Sequence, residues 1–175
     1  PPPPDGSAVE VAPGIRWLRM PMPMALDHIN VYLLRGADGW TLVDTGLNTA
    51  ACRERWERIA ATHLQGLPIV RLVCTHMHYD HAGLARWLCE RFDIPLYMTH
   101  GEYFMMRALA EPVPDPLPQA QALFYQRAGL PQERLERMFQ AMRKDPFMPP
   151  QPQSFSRLRG GDEIELGSRR WRVVI

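Results

Sequence analysis

Residues 74–83 read CTHMHYDHAG and hold three of the chain's six histidines, with one aspartate between the second and third. Neutral imidazoles are the commonest protein ligands for zinc and also suit iron and manganese. Side chains two apart in an extended segment point the same way, so His76 and His78 can grip one ion between them. Asp80 and His81 follow where the chain bends into a helix, and they address a neighbouring point. A second ion there would stand about 3.5–4 Å from the first, the spacing of two-metal hydrolases. Asp80, a hard carboxylate, gives this second position a different ligand mix and can hold a metal-bound hydroxide in place, which makes it the candidate catalytic residue. With this chain's His and Asp content the pattern HxHxDH arises by chance roughly a few times in ten thousand sequences. That rarity weighs against the alternative of solvated histidines on a surface loop.

A run of elements must carry this loop. The apolar stretch PIVRLVCT (68–75) leads into it and reads as a buried strand. AGLARWLCERF (82–92) leads out as a helix that buries Leu84, Trp87, Leu88 and Phe92. Upstream, IRWLRM (15–20), INVYLLR (29–35) and WTLVDT (40–45) alternate as strands, with GADG turning between the last two. LNTAACRERWERIAATHL is a helix capped by Asn48 or Thr49, with Ala51, Arg55, Ile59 and Leu64 as an imperfect apolar stripe. IPLYMT (94–99) is the next strand. The order β-β-β-α-β-α-β argues for an α/β layered fold, in which functional loops gather at the carboxyl ends of strands. Residues 1–14 read as an extended Pro- and Gly-containing tail. From 101 to 157 the chain becomes helical and proline-rich, and six of its ten methionines fall between Met98 and Met148. This segment is expected to pack as an insertion on the core, or to act as a lid or dimer surface where flexible Met side chains adapt. Residues 158–175 return to strand pattern, as a hairpin turned at Gly167-Ser168 whose last strand alternates Trp171, Val173 and Ile175 against arginines.

Composition narrows the rest. At 175 residues with 46 % apolar side chains the chain is one domain with a real core, and its apolar runs are too short to span a bilayer. A net charge of +1 provides no field for nucleic acid or an anionic membrane. Three cysteines without CxxC spacing read as reduced thiols of a cytoplasmic protein.

The motif THMHYDHAG after an apolar strand, with LVDTG (42–46) and MALDHINVYLL (24–34) upstream, resembles the metallo-β-lactamase fold superfamily, in particular its glyoxalase-II-like hydrolases. LRGGDEIELGSRRWRVVI (158–175) is similar to its later strand pair. The resemblance implies the amino-terminal half of an αββα sandwich, with the helical segment outside the general pattern. It also implies two divalent ions, most often zinc, held by His76 and His78 and by Asp80 and His81, with Asp44 orienting the site from behind. A bridging hydroxide would then attack a small ester, thioester or lactone. His28, Tyr79 and His100 are candidate pocket residues. Cys74 reads as a small buried hydrophobe, and Arg157, Arg159, Arg169, Arg170 and Arg172 as a solvated strand face. The family completes its site with a histidine after the strand beginning at Arg169, then an aspartate and a last histidine. Residues 1–175 stop short of these, so this chain is expected to hold metal poorly and to lack normal activity by itself. Rival readings are a nuclease of the same superfamily, a mononuclear iron dioxygenase-like enzyme, and a non-enzymatic half-domain that pairs through an open sheet edge.

Overall fold

The structure is a computed structural model that describes residues 7–144 and 148–175. Nine strands and six helices follow one another among the described residues. They are β1 (Val9–Ala12), β2 (Ile15–Pro21), β3 (His28–Arg35), β4 (Trp40–Val43), α1 (Ala50–Thr62), β5 (Ile69–Val73), α2 (Tyr79–Ala82), α3 (Ala85–Phe92), β6 (Leu96–Thr99), α4 (His100–Leu109), α5 (Gln119–Arg127), α6 (Gln132–Lys144), β7 (Ser156–Leu158), β8 (Glu163–Leu166) and β9 (Arg169–Arg172).

Seven strands form one sheet in simple chain order, β1 to β7, and β8 with β9 forms a second. Pairing is antiparallel from β1 to β4, where short turns suffice, and parallel from β4 to β7, where each step needs a helical crossover. One face of the large sheet meets the helices. Leu18, Met20, Val31, Leu33, Leu42 and Leu72 from the strands are sealed against Trp56, Ile59, Leu88 and Met106. Alternation sends Ile15, Tyr32, Leu34, Val43, Val73 and Tyr97 to the other face, where the β8–β9 hairpin supplies Ile164 and Leu166. This is the α/β arrangement expected, half of an αββα sandwich with helices on one side and a second sheet begun on the other.

The helix α1 starts where the Thr49 side chain accepts the Cys52 N–H, so Thr49 rather than Asn48 is the cap. Its inner stripe is Cys52, Trp56 and Ile59, with Arg55 also covered. Trp56, which the expected stripe omitted, is fully buried and donates its indole N–H to Thr45 O at 2.7 Å. Burying a large apolar side chain in this way contributes about 1.5–3 kcal/mol. It also ties the helix to the loop after β4.

Several boundaries differ from expectation. Residues 9–12 of the supposed tail pair with β2 as an edge strand, while residues 1–6 lie outside the described residues. The helical segment starts at His100, not 101, and closes in β7, which joins the large sheet beside β6. Residues 145–147 of its Pro-rich end lie outside the described residues. The last strand stops at Arg172; Val173 still packs inward and exchanges backbone bonds with Gly161 and Asp162, as the alternation expects, but Ile175 stands 86 % exposed. No helix of the described residues is long and apolar enough to cross a membrane.

Candidate metal centre

The candidate site lies at the carboxyl ends of β4 and β5, the two adjacent parallel strands at the middle of the sheet. Pairing carries one residue past the end of β4, where Asp44 N–H donates to Val73 O at 2.9 Å, and the next amide, Thr45 N–H, donates to His81 O of α2 at 3.0 Å. Asp44 adopts φ +64, a conformation that few side chains other than Asn and Asp tolerate. Strain of that kind persists only where the surroundings enforce it. Here they do. The Asp44 carboxylate is buried and accepts from the Thr75 N–H at 2.8 Å, the Thr75 hydroxyl at 2.9 Å and the His81 ring Nδ1 at 2.9 Å.

These bonds assign one proton on each of two rings. A carboxylate only accepts, so His81 donates from Nδ1, and when the ring is neutral its Nε2 lone pair is free. The Thr75 hydroxyl spends its one proton on Asp44. Its oxygen, 2.9 Å from His76 Nδ1, therefore accepts a proton from that ring and leaves the His76 Nε2 lone pair free as well. One carboxylate thus directs two imidazoles, the arrangement by which ligating histidines are held ready for a metal.

The structure brings the four motif residues together. The His76 ring centroid is 4.7 Å from that of His78 and 4.0 Å from that of His81, and His81 Nε2 is 3.5 Å from Asp80 Oδ2. His76 stands between the other two rings, so they form one cluster rather than two separate pairs. Asp80 and His81 sit on the single-turn helix α2, which is separated from α3 by Gly83 and Leu84 instead of continuing into it. A Cβ at Gly83 would lie 2.2 Å from Tyr79 O and 3.2 Å from Gly46 O, so only glycine lets α2 press against the loop after β4.

The electrostatics oppose one another. Burial, followed by the neighbouring His81, pushes His76 below the ordinary histidine value against the pull of Asp44 and Glu102. Burial also disfavours the His81 cation, but the hydrogen bond and charge of Asp44, with Asp80, outweigh it and raise His81. In donor chemistry the cluster suits a divalent ion: three imidazoles, two with assigned lone pairs, and a carboxylate. Among the described residues, however, no three His, Cys, Asp or Glu groups already converge as a formed metal cage.

The three pocket candidates have different surroundings. His28 opens β3 and its Nδ1 touches Asp27 and Arg19. Tyr79 starts α2 and packs against the main core. His100 does not end a strand but begins α4, exposed, with its ring 4.7 Å from Phe104. Cys74 is buried as expected, its thiol pushed well up by desolvation, and all three cysteines are free. Two site residues escaped the sequence reading. Thr75 stood inside the quoted motif without a role, and Glu102, whose carboxylate accepts the Met77 N–H at 2.8 Å, gave no local signal.

The description "Metallo-beta-lactamase superfamily" matches residues 24–175. The chain belongs to this family. A solved beta-lactamase domain protein from Burkholderia ambifaria superposes with a TM-score of 0.79 and 42 % identity over 97 % of this chain and 48 % of its own. A probable metallo-hydrolase, YqjP, of Bacillus subtilis is 44 % identical over 78 residues, 44 % of this chain and 24 % of that protein. An (R)-specific secondary-alkylsulfatase of Pseudomonas is 33 % identical over 85 residues, 49 % of this chain and 12 % of that protein. The chain therefore spans about half the length of the solved relative, and its matched stretch covers a quarter or less of the metallo-hydrolase and the alkylsulfatase.

Proposed function

We propose that the chain supplies the amino-terminal ligand set of a metal-dependent hydrolase acting on small esters, thioesters or lactones. His76, His78, Asp80 and His81 would hold one or two divalent ions, most readily zinc. A bound ion would supply a lowered water pKa and Lewis-acid stabilisation of a developing oxyanion. The chain's own residues do the positioning. Asp44 holds the His81 proton on Nδ1 and, through Thr75, the His76 proton on Nδ1, so that both Nε2 atoms remain donors. Asp80, 3.5 Å from His81 Nε2, places a negative charge beside the same cluster. The observation that carries this reading is that single buried carboxylate directing two imidazoles from a strained backbone. The alkylsulfatase relative widens the ester class to sulfate esters. Shared between two ions, these four side chains give each only two ligands, fewer than the three or four of stable zinc sites, so the chain alone should bind zinc weakly and hydrolyse slowly.

The test is a zinc titration against a chromophoric chelator, followed by hydrolysis of p-nitrophenyl acetate and p-nitrophenyl sulfate. The full-length protein should bind zinc and cleave one of them, and His76→Ala with His78→Ala should abolish both properties. Full-length protein that purifies with iron and consumes oxygen, or that binds RNA in a salt-dependent way and cleaves it, would replace this reading with a rival one.

A further inference from the structure

The geometry points to Glu102 as a positioning residue that fixes the backbone between His76 and His78; its effect on zinc rests on the metal reading above. The sequence Thr99-His100-Gly101-Glu102 has the S/T-x-x-E form of a capping box, in which the glutamate reaches back to its own helix start. In the structure that box is not made. The Thr99 side chain makes no cap bond to α4, and the Glu102 carboxylate leaves its helix to accept the Met77 N–H at 2.8 Å. A helix has given up part of its own start to hold a loop.

The point it holds is well chosen. Met77 is the one residue between His76 and His78, its side chain packs against the main core, and its amide is the midpoint of the segment that sets how the two rings are presented. The same segment is anchored before His76 by Thr75 on Asp44, and after His78 by the His81 and Ala82 amides donating to His78 O at 3.0 and 2.8 Å. Without Glu102 the stretch between those anchors has no carboxylate on its central amide. A hydrogen bond to an ionised acceptor is among the stronger ones available to a backbone N–H. Glu102 also belongs to the crossover after β6, so it couples the histidine loop to the helical segment that the sequence marks as a separate region.

Two readouts on the full-length protein test this: the Met77 amide by 15N-resolved NMR and hydrogen exchange without metal, and zinc affinity by chelator competition. Wild type should show a downfield, protected Met77 amide. Glu102→Ala should lose both features and weaken zinc about tenfold, the usual scale for groups behind a metal ligand, while Glu102→Gln, which keeps an acceptor oxygen, should recover most of each. A Glu102→Ala variant with an unchanged Met77 amide overturns the proposal. So does one that melts lower yet binds zinc as wild type does, because that is helix stability and nothing more. If Glu102→Ala fails to fold, the Gln variant decides alone: an amide and an affinity near wild type support positioning by the acceptor, and a lost Met77 signal refutes it. Wild type that binds no zinc sinks the metal reading separately, and Glu102 then stands or falls on the amide.

Discussion

Asp44 permits a sharp prediction because stability and ligand chemistry separate at one atom. Asp44→Ala removes the acceptor for the Thr75 N–H, the Thr75 hydroxyl and His81 Nδ1. Bonds to a charged partner are worth about 1.5–3 kcal/mol each, and breaking a buried charged cluster costs about 3–5 kcal/mol in all. Thr75 is exposed, so its donors partly rehydrate and the lower figure applies. Alanine at φ +64 adds about 1–2 kcal/mol of backbone cost. The expected loss is thus about 4 kcal/mol by urea unfolding. Asp44→Asn behaves differently. Asparagine tolerates the left-handed backbone and its one oxygen still accepts from Thr75, so stability should fall by only about 1–2 kcal/mol. Its amide hydrogens, however, now face His81 Nδ1. The ring must accept there and carry its proton on Nε2, which blocks that nitrogen as a ligand. Imidazole 15N shifts read the tautomer directly. An Asp44→Asn protein whose His81 still bears its proton on Nδ1, and which binds zinc as tightly as wild type, would refute the assignment of Asp44 as the group that directs the ring.

The two shifted histidines should titrate on opposite sides of 6.5 in metal-free protein, followed by ring proton NMR. The raised His81 stabilises the fold fully below 6.5 and loses that contribution as pH rises through its folded value, whereas the lowered His76 costs stability as pH falls below 6.5. The stability gap between wild type and Asp44→Asn should therefore be widest in acid and narrow above 6.5. Gly83→Ala puts a methyl 2.2 Å from Tyr79 O and should destabilise by about 1–3 kcal/mol, read as a lowered melting temperature. A melting temperature within a degree of wild type would show that α2 can retreat. Arg71 donates to Glu165 O at 3.2 Å and to Asp38 Oδ2 at 3.1 Å from the partly exposed face of the sheet. Arg71→Ala should cost under about 1 kcal/mol globally, yet speed hydrogen exchange in β8–β9 by up to about fivefold. Uniform exchange across both sheets would show that the hairpin is held by its apolar side chains instead.

What was legible in the sequence follows from where one physical signal dominates. The strands around β2 to β6 alternate or run apolar because one or both faces are buried, so their pattern is local and readable. The histidines announce themselves by type. The strand β7 has three residues and exists because β6 offers it a parallel edge, a tertiary cause with no pattern in Ser156, Arg157 and Leu158. β1 is an exposed edge in a Pro- and Gly-containing stretch and reads as tail for the same reason. Alternation in Trp171, Val173 and Ile175 predicted a longer last strand, but pairing with β8 stops at Arg172. Trp56 was overlooked because α1 is only weakly amphipathic, and its inner stripe is set by the indole bond to Thr45 as much as by apolarity. Glu102 was invisible because its partner lies 25 residues away.

The strained residue and the buried tryptophan belong to one device. Asp44 leaves β4 in a conformation that must be enforced, and the next residue, Thr45, is where the enforcement enters. Its carbonyl accepts from the Trp56 indole, its amide donates to His81 O, and its hydroxyl accepts the Leu84 N–H at 3.1 Å. The helix α1, the turn α2 and Leu84 just before α3 therefore all grip the residue beside Asp44, and the core energy of a fully buried indole is transmitted to the carboxylate that directs His76 and His81. Loosening Trp56 should consequently disturb the site before it unfolds the protein. Trp56→Phe keeps most of the apolar volume and deletes the N–H, so it should cost about 1 kcal/mol for the lost bond plus the orphaned Thr45 carbonyl. The more telling change would be at His81, whose raised titration should fall back toward 6.5 as Asp44 relaxes. If Trp56→Phe lowers stability while His81 titrates as in wild type, the strain at Asp44 is held locally by Thr75 and His81, and the core plays no part in tuning the site.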